Sequence, residues 1–169
     1  MCYNKIMKKR EEKIIHPLKP IFDSNSKILI LGTMPSIKSR ENDMYYSHPK
    51  NRFWDVLSRL FCEEIPSSNK DKEAFLLKHN IALWDVLKSC KIKGSSDSSI
   101  TDPIINDFNL IFKKANIKAV FTTGKKATRL YKDLTGNESI YLPSTSPANC
   151  ALSIENLINS YSIILNYIE

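Results

Sequence analysis

The sequence predicts an α/β fold, a three-layer α/β/α sandwich in which a four-stranded parallel sheet lies between two layers of helices. Short apolar runs alternate along the chain with segments of helical spacing. Such alternation requires crossover connections between parallel strands. The chain of 169 residues has the length of one domain with a full core. We expect this domain over residues 27–169, after a basic N-terminal extension over residues 1–26.

Four segments are predicted to be buried strands because each is a short, strongly apolar run. They are residues 27–32, 81–87, 118–124 and 139–142. In an open parallel sheet, ligands bind beyond the carboxyl ends of the strands. We therefore expect the loop from Thr33 to Asn51 and the loop after Leu142 to lie together and to form the functional site.

Five segments are predicted to be helices from their apolar spacing or their capping residues. They are residues 53–61, 71–79, 102–116, 125–134 and the final segment, which starts at Ser153. Asp102 and Pro103 are typical of an N-cap and a first helical position. The final helix is expected to be amphipathic, with Leu157 and Tyr161 on its apolar face.

Charge and composition limit the function classes. Lysine and arginine number 25 against 18 acidic residues, a formal charge of +7, which is compatible with a polyanionic partner. No apolar run is long enough to cross a membrane, and Met1 to Lys13 contains no secretory h-region. The four cysteines form no CxxC pair and no Cys–His cluster. We expect a cytoplasmic monomer that uses neither a metal nor an organic cofactor.

Common nucleotide-binding and hydrolase motifs of α/β proteins are absent. Gly124-Lys125 lacks both the earlier glycine and the following Ser or Thr of a P-loop, and no GxGxxG follows the first strand. No GxSxG elbow for an acyl-transfer nucleophile is present. A nucleotide-handling enzyme is therefore disfavoured.

Four ordered motifs resemble the uracil-DNA glycosylase superfamily. Gly-Thr-Met-Pro starts at Gly32, YYSHPKNRFW spans residues 45–54, ALWDVL spans residues 82–87 and LPSTSPAN spans residues 142–149. The pattern is most similar to the hypoxanthine-DNA, or deoxyinosine, glycosylase branch. This resemblance covers residues 27–169 and implies an enzyme of base-excision repair. No lysine stands out as a Schiff-base nucleophile, so we expect the enzyme to be monofunctional. Such an enzyme hydrolyses the N-glycosidic bond of a flipped deaminated base in DNA, with hypoxanthine as the expected base.

The resemblance implies that Asn51 is the catalytic residue. In the related mismatch-specific branch, an Asn in the loop after the first strand positions the attacking water. Met34 occupies that position here and cannot orient water. We expect Asn51 to hold the water through its side-chain oxygen. The alternative is that Asn51 caps the helix that follows, and it can do both.

The resemblance also implies a pocket for the flipped base. Tyr46 matches the stacking position, and backbone N–H groups near Thr33 face the base. An ionised Asp85 can only accept hydrogen bonds, which suits the N–H edge of a purine lactam, although it can instead cap the next segment. The expected base-binding residues are Gly32, Thr33, Met34, Tyr46, Trp84 and Asp85.

Contacts to the DNA backbone are expected from small hydroxyl side chains, loop N–H groups and a lysine. Lys125 opens a helix, where a positive charge is unfavourable unless it faces an anion. Ser144 and Ser146 can equally be turn residues. The expected DNA-binding residues are Pro35, Ser36, Lys125, Ser144, Thr145, Ser146 and Pro147.

Two alternatives stay open. The first is a glycosylase specific for uracil, or for thymine mispaired with guanine. Met34, together with Leu142 in place of a histidine that many relatives carry, argues against vigorous uracil removal. The second is a non-catalytic nucleic-acid-binding module on the same fold, which needs the stacking Tyr46 but not Asn51.

Overall fold

A computed structural model describes residues 10–94 and 96–169, and over these residues the chain forms seven strands and six α-helices. Short 3₁₀ turns cover Asp97–Ser99 and Ser162–Asn166. No helix within residues 10–94 and 96–169 is long and apolar enough to span a bilayer. In chain order the elements are β1 (Glu11–Ile15), β2 (Ile28–Gly32), α1 (Ile37–Glu41), α2 (Phe53–Leu60), α3 (Asn69–Lys78), β3 (Ile81–Asp85), β4 (Leu87–Lys93), β5 (Thr101–Ile105), α4 (Asn109–Phe112), β6 (Ala119–Thr123), α5 (Lys125–Thr135), β7 (Ile140–Leu142) and α6 (Ile154–Tyr161).

The predicted four-stranded parallel sheet is confirmed. Its strand order is β3-β2-β6-β7, and every neighbouring pair is parallel. The central strand β2 is buried along its whole length, as expected for a parallel strand covered by helices on both faces. Gly32 lies opposite Asp85, and Leu31 lies between Trp84 and Thr122. This register brings the carboxyl ends of β2, β3 and β6 to one edge.

Helices cover both faces of this sheet. The Thr122 hydroxyl is 2.7 Å from the hydroxyl of Thr128 on α5, whereas the Thr123 hydroxyl is 3.0 Å from that of Tyr46. Tyr46 in turn stacks on Phe53 of α2. Because successive residues of a strand point to opposite faces, α5 and α2 lie on opposite sides of the sheet. Four predicted helices are confirmed as α2, α3, α5 and α6, and their ends differ from the predicted ends by at most a few residues.

The helix predicted from residue 102 to residue 116 is wrong in its first half. Thr101–Ile105 is strand β5 at the edge of a second, antiparallel sheet of order β1-β4-β5. Pro103 is tolerated there because an edge strand does not need every N–H group. The helical part shrinks to α4, Asn109–Phe112. The predicted strand 81–87 also ends early, since β3 stops at Asp85 and β4 starts at Leu87 in the second sheet.

The described part of the N-terminal segment packs against both sheets. β1 pairs with β4 in antiparallel register. Ile14 and Leu18 are buried. The backbone of Ile21 exchanges hydrogen bonds of 3.0 and 2.9 Å with Leu83 at the outer edge of β3. Residues 1–9 of the expected basic extension lie outside the described residues.

Candidate active site

The loop after β2 and the loop after β7 meet at the carboxyl edge of the parallel sheet, as predicted. The Thr145 hydroxyl donates to Asn51 Oδ1 at 2.9 Å, and the Arg52 N–H donates to the Thr145 carbonyl at 3.1 Å. The Arg52 guanidinium also donates to the carbonyl oxygens of Asn149 and Leu152, at 2.6 and 2.5 Å. Arg52 therefore ties the start of α2 to the second loop.

Asn51 has its amide oxygen occupied. In addition to the Thr145 hydroxyl, Oδ1 accepts the Phe53 N–H at 2.9 Å, so both oxygen lone pairs are used. Asn51 thus closes a turn directly before α2, whose N-cap residue is Arg52 and not Asn51 as the alternative interpretation proposed. A water molecule held by a free Oδ1 does not fit this arrangement. Nδ2 donates to no described residue, and it is the group of Asn51 that can face a substrate.

Tyr46 presents a fixed aromatic ring. One face stacks on Phe53, with centroids 3.9 Å apart and planes 15° apart. Its φ of 53° lies in the left-handed region, which is rare for a bulky residue and indicates that the surroundings impose this backbone conformation. Burial, and then the charge of Asp85, raise the pKa of the Tyr46 phenol above its ordinary value. The hydroxyl therefore stays protonated at neutral pH and can donate.

Gly32 leaves room for two functional groups. A Cβ atom built at this position would collide with Oδ1 of Asp85 and lie 3.1 Å from the Tyr46 hydroxyl. Only a residue without a side chain lets the carboxylate and the phenol approach the end of β2 this closely. Gly32 is thus part of the site through its missing side chain.

Asp85 is a buried carboxylate with one oxygen committed. The residue is 4% exposed, and Oδ2 lies 2.7 Å from Nε2 of His16. No described residue donates a hydrogen bond to Oδ1. This oxygen is also not fully enclosed by the protein. Neither carboxylate oxygen of Asp85 accepts a hydrogen bond from a backbone N–H of the described residues. Asp85 therefore does not cap the segment that follows it.

His16 is a component of the site that the sequence did not reveal. It lies in a segment without a motif, and a lone histidine carries no functional signal. The pairing of β1 with β4 brings it to Asp85 from 69 positions away.

Trp84 does not join Tyr46 and Asp85, contrary to expectation. Alternation along β3 directs its side chain to the opposite face of the sheet. There it packs edge-on against Phe108, with centroids 6.0 Å apart, and Phe108 contacts Tyr131 of α5. The Trp84 ring also packs edge-on against His16, with centroids 6.5 Å apart, so Trp84 contacts the hydrogen-bond partner of Asp85 rather than the Tyr46 ring.

The remaining predicted base-binding residues lie directly after β2. Thr33 is buried, and its carbonyl accepts the Leu87 N–H at 3.1 Å. Met34 is partly buried against the core. The N–H groups of Thr33 and Met34 donate to no described residue. These two backbone donors are unpaired among the described residues and lie directly after β2, at the edge that also carries Asp85.

The predicted DNA-binding residues split into two groups. Ser36, Ser144 and Ser146 accept hydrogen bonds from the N–H groups of Ser39, Ser146 and Ala148, so all three act as cap or turn residues. Thr145 is 1% exposed and bonded to Asn51, and Pro35 is buried as well. Lys125 and Pro147 are exposed.

Known proteins resemble this chain in sequence and in structure. The sequence profile described as the Uracil DNA glycosylase superfamily matches residues 20–158. A protein from Methanosarcina barkeri named hypoxanthine DNA glycosylase is 40% identical over 134 residues, which cover 77% of this chain and 85% of the relative. A protein of that name from Methanosarcina acetivorans is 38% identical over 134 residues, covering 76% and 84%. A candidate uracil DNA glycosylase from Methanosarcina acetivorans, solved by solution NMR, superimposes with a TM-score of 0.73 at 31% identity, over 93% of this chain and 98% of its own.

Proposed function

Because the chain belongs to the uracil DNA glycosylase superfamily, we propose that it is a monofunctional DNA glycosylase that removes hypoxanthine from DNA. The observation that carries this proposal is the carboxylate oxygen Oδ1 of Asp85, which accepts no hydrogen bond from the described residues and lies, with the Tyr46 hydroxyl, beside Gly32 at the end of β2. The relatives named hypoxanthine DNA glycosylase support the same base. We further propose that the protein acts as a cytoplasmic monomer on DNA without a cofactor.

Recognition starts with a base flipped out of the DNA stack. Tyr46 offers its second ring face to the base, because Phe53 occupies the first. Base–aromatic stacking of this kind contributes about 1–3 kcal/mol. Phe53 is wholly buried. It therefore holds the Tyr46 ring in place when the base stacks on the other face.

Asp85 supplies the selection by hydrogen bonding. Hypoxanthine carries a hydrogen on N1, which can donate to Oδ1 of Asp85, whereas N1 of adenine is an acceptor and faces the carboxylate unfavourably. A buried acceptor left opposite another acceptor is costly. Guanine also carries an N1 hydrogen, so Asp85 alone does not exclude it.

The chemistry is the replacement of a base by water at the anomeric carbon. The bond between C1′ and the base nitrogen breaks, positive charge develops on the sugar, and negative charge develops on the base. The free N–H groups of Thr33 and Met34 and Nδ2 of Asn51 are donors that can meet this negative charge. Water then adds its oxygen to C1′ and gives a proton to the base. The products are free hypoxanthine and an abasic site.

The DNA strand is positioned by contacts that do not read sequence. The formal charge of +7 favours association with a polyanion. Lys125 at the exposed start of α5 and the turn around Ser144 and Pro147 are suited to contact phosphates on either side of the flipped base.

A single-turnover assay tests the proposal. Labelled duplexes carry inosine, uracil or thymine opposite each base, and alkali cleaves the abasic product. We expect inosine cleavage, reduced about 10²- to 10³-fold in Asn51→Ala, the loss typical of one transition-state donor. Asn116→Ala is the matched control, because Asn116 is exposed and precedes β6 at the opposite edge of the sheet.

Other outcomes separate the alternatives. Cleavage of uracil alone would overturn hypoxanthine as the substrate and leave the glycosylase activity. Tight DNA binding without cleavage of any duplex would identify a binding module. Cleavage that survives in Asn51→Ala would remove Asn51 from the mechanism.

A further inference from the structure

We infer that His16 is a positioning residue that holds the Asp85 carboxylate as the acceptor for the base. The inference rests on the proposed function and extends it to the N-terminal segment. The His16 and Asp85 side chains are 2% and 5% exposed, and 2.7 Å separate Nε2 from Oδ2. This pair lies within the parallel-sheet edge where Gly32 and Tyr46 meet, not on the outer surface.

The second ring nitrogen of His16 determines the proton position. Nδ1 accepts the N–H of Leu18 at 3.2 Å. A nitrogen that accepts a hydrogen bond carries no proton, so the imidazole is neutral and its hydrogen is on Nε2. Nε2–H therefore donates to Asp85. The backbone turn at Leu18 thus selects the tautomer that the carboxylate requires.

Asp85 has no other side-chain donor among the described residues. The two phenols near it are engaged elsewhere: the Tyr45 hydroxyl donates to the Lys19 carbonyl at 2.7 Å, and the Tyr46 hydroxyl pairs with Thr123. A buried carboxylate oxygen without a donor costs free energy. His16 is therefore the donor that satisfies Asp85 in its buried position.

The His16 bond also fixes the rotation of the carboxylate. With Oδ2 held by Nε2, Oδ1 is the oxygen that lies against the open backbone of Gly32. A metal-ligating or catalytic group that is held by a second residue keeps its orientation in the same way. His16 therefore leaves Oδ1 as the acceptor for the N1 hydrogen.

The backbone around His16 is anchored on both sides. Its N–H donates to the Lys88 carbonyl at 2.8 Å, directly after the β1–β4 ladder. Pro17 follows and restricts the backbone of His16 to extended conformations. The Tyr45 bond to Lys19 anchors the chain after the turn. The N-terminal segment is therefore a constituent of the base pocket.

The test compares substitutions of His16 in single-turnover assays with inosine duplex. His16→Phe removes the donor, and His16→Gln keeps a donor near the Nε2 position. We expect His16→Phe to be about 10- to 100-fold slower, the range for removing a hydrogen bond to a charged group, with unchanged affinity for a duplex that carries an abasic analogue. We expect His16→Gln to recover most of the rate.

Two controls separate positioning from simple stability. In an Asp85→Ala background, His16→Phe should cause no further loss of rate, because the two residues act through one contact. His79→Phe removes another histidine–carboxylate contact, His79 with Glu63 at 2.8 Å, far from the site, and should keep the wild-type rate. Losses that multiply in the double variant, or equal rates for His16→Phe and wild type, would overturn the inference.

A readout without substrate keeps the inference separate from the proposed function. The ¹⁵N shifts of the His16 ring should report an imidazole with its hydrogen on Nε2, and a ring without a hydrogen on Nε2 would overturn the inference. If the wild type cleaves uracil instead of inosine, the proposed base is wrong. The same variants are then compared on uracil duplex, since uracil N3–H needs the same acceptor.

Discussion

Thr145 donates a hydrogen bond to Asn51 across 94 positions of the chain. This contact joins the loop after β7 to the start of α2 and fixes the orientation of the Asn51 amide. Because the Phe53 N–H also requires an oxygen as its partner, Oδ1 must face α2, and Nδ2 must face outward. The contact thus decides which end of the amide is offered to the substrate.

Replacing Thr145 tests which end of Asn51 acts. Thr145→Val removes the hydroxyl and keeps the volume. We expect about a five- to tenfold lower rate on inosine duplex, the effect of one neutral hydrogen bond that no longer orients the amide. Thr145→Ser, which keeps the hydroxyl, should retain most of the activity. A faster Thr145→Val enzyme would show instead that a water molecule needs the freed Oδ1.

Gly32→Ala should damage both stability and activity. The new methyl group would collide with Asp85 Oδ1 and crowd the Tyr46 hydroxyl. Overpacking of this kind costs about 1–3 kcal/mol, and displacement of the acceptor should slow inosine cleavage about 10- to 100-fold. Thermal unfolding and the single-turnover assay measure the two effects.

Gly136→Ala is the matched control for this prediction. Gly136 has a φ of +73° and no atom within 4 Å of an added Cβ. The substitution should cost about 1–2 kcal/mol through backbone strain and leave the cleavage rate unchanged. Equal activity of the Gly32→Ala and wild-type enzymes would contradict the role given to Gly32.

Tyr46 should act through its ring rather than through ionisation of its phenol. Tyr46→Ala should weaken the reaction about 10- to 100-fold, because base stacking contributes about 1–3 kcal/mol. Tyr46→Phe should lose much less. Burial and the charge of Asp85 raise the pKa of this phenol. The protonated form therefore persists above the ordinary range of tyrosine. The rate profiles of wild type and Tyr46→Phe should stay parallel from pH 7 to about pH 10, and divergence near pH 9 would contradict this.

Local patterns were sufficient for the central sheet and for the two loops that carry the candidate site. Each parallel strand is a short apolar run, and the loops that follow β2 and β7 carry the motifs. The position of Asp85 follows from its place at the end of β3, and the two loops meet because the carboxyl ends of parallel strands lie at one edge. The separation of Trp84 from Asp85 was also predictable from the sequence, because neighbouring residues of a strand face opposite sides of the sheet.

The chemistry of Asp-Pro at residues 102 and 103 did not distinguish a helix start from an edge strand. Proline suits the first turn of a helix and also an edge strand, where its missing N–H is not needed. The outcome depended on β4, which offers its free edge to Thr101–Ile105. No local signal reports such a partner.

Side-chain period, turn residues and motif spacing are local properties, and they were enough for the fold class, the glycosylase resemblance and the candidate residues of the two loops. The pairing of His16 with Asp85, the orientation of the Asn51 amide and the second sheet arise from contacts between distant segments. Those contacts depend on the register between strands and on the packing of loops. Both emerge when the whole chain closes around its core.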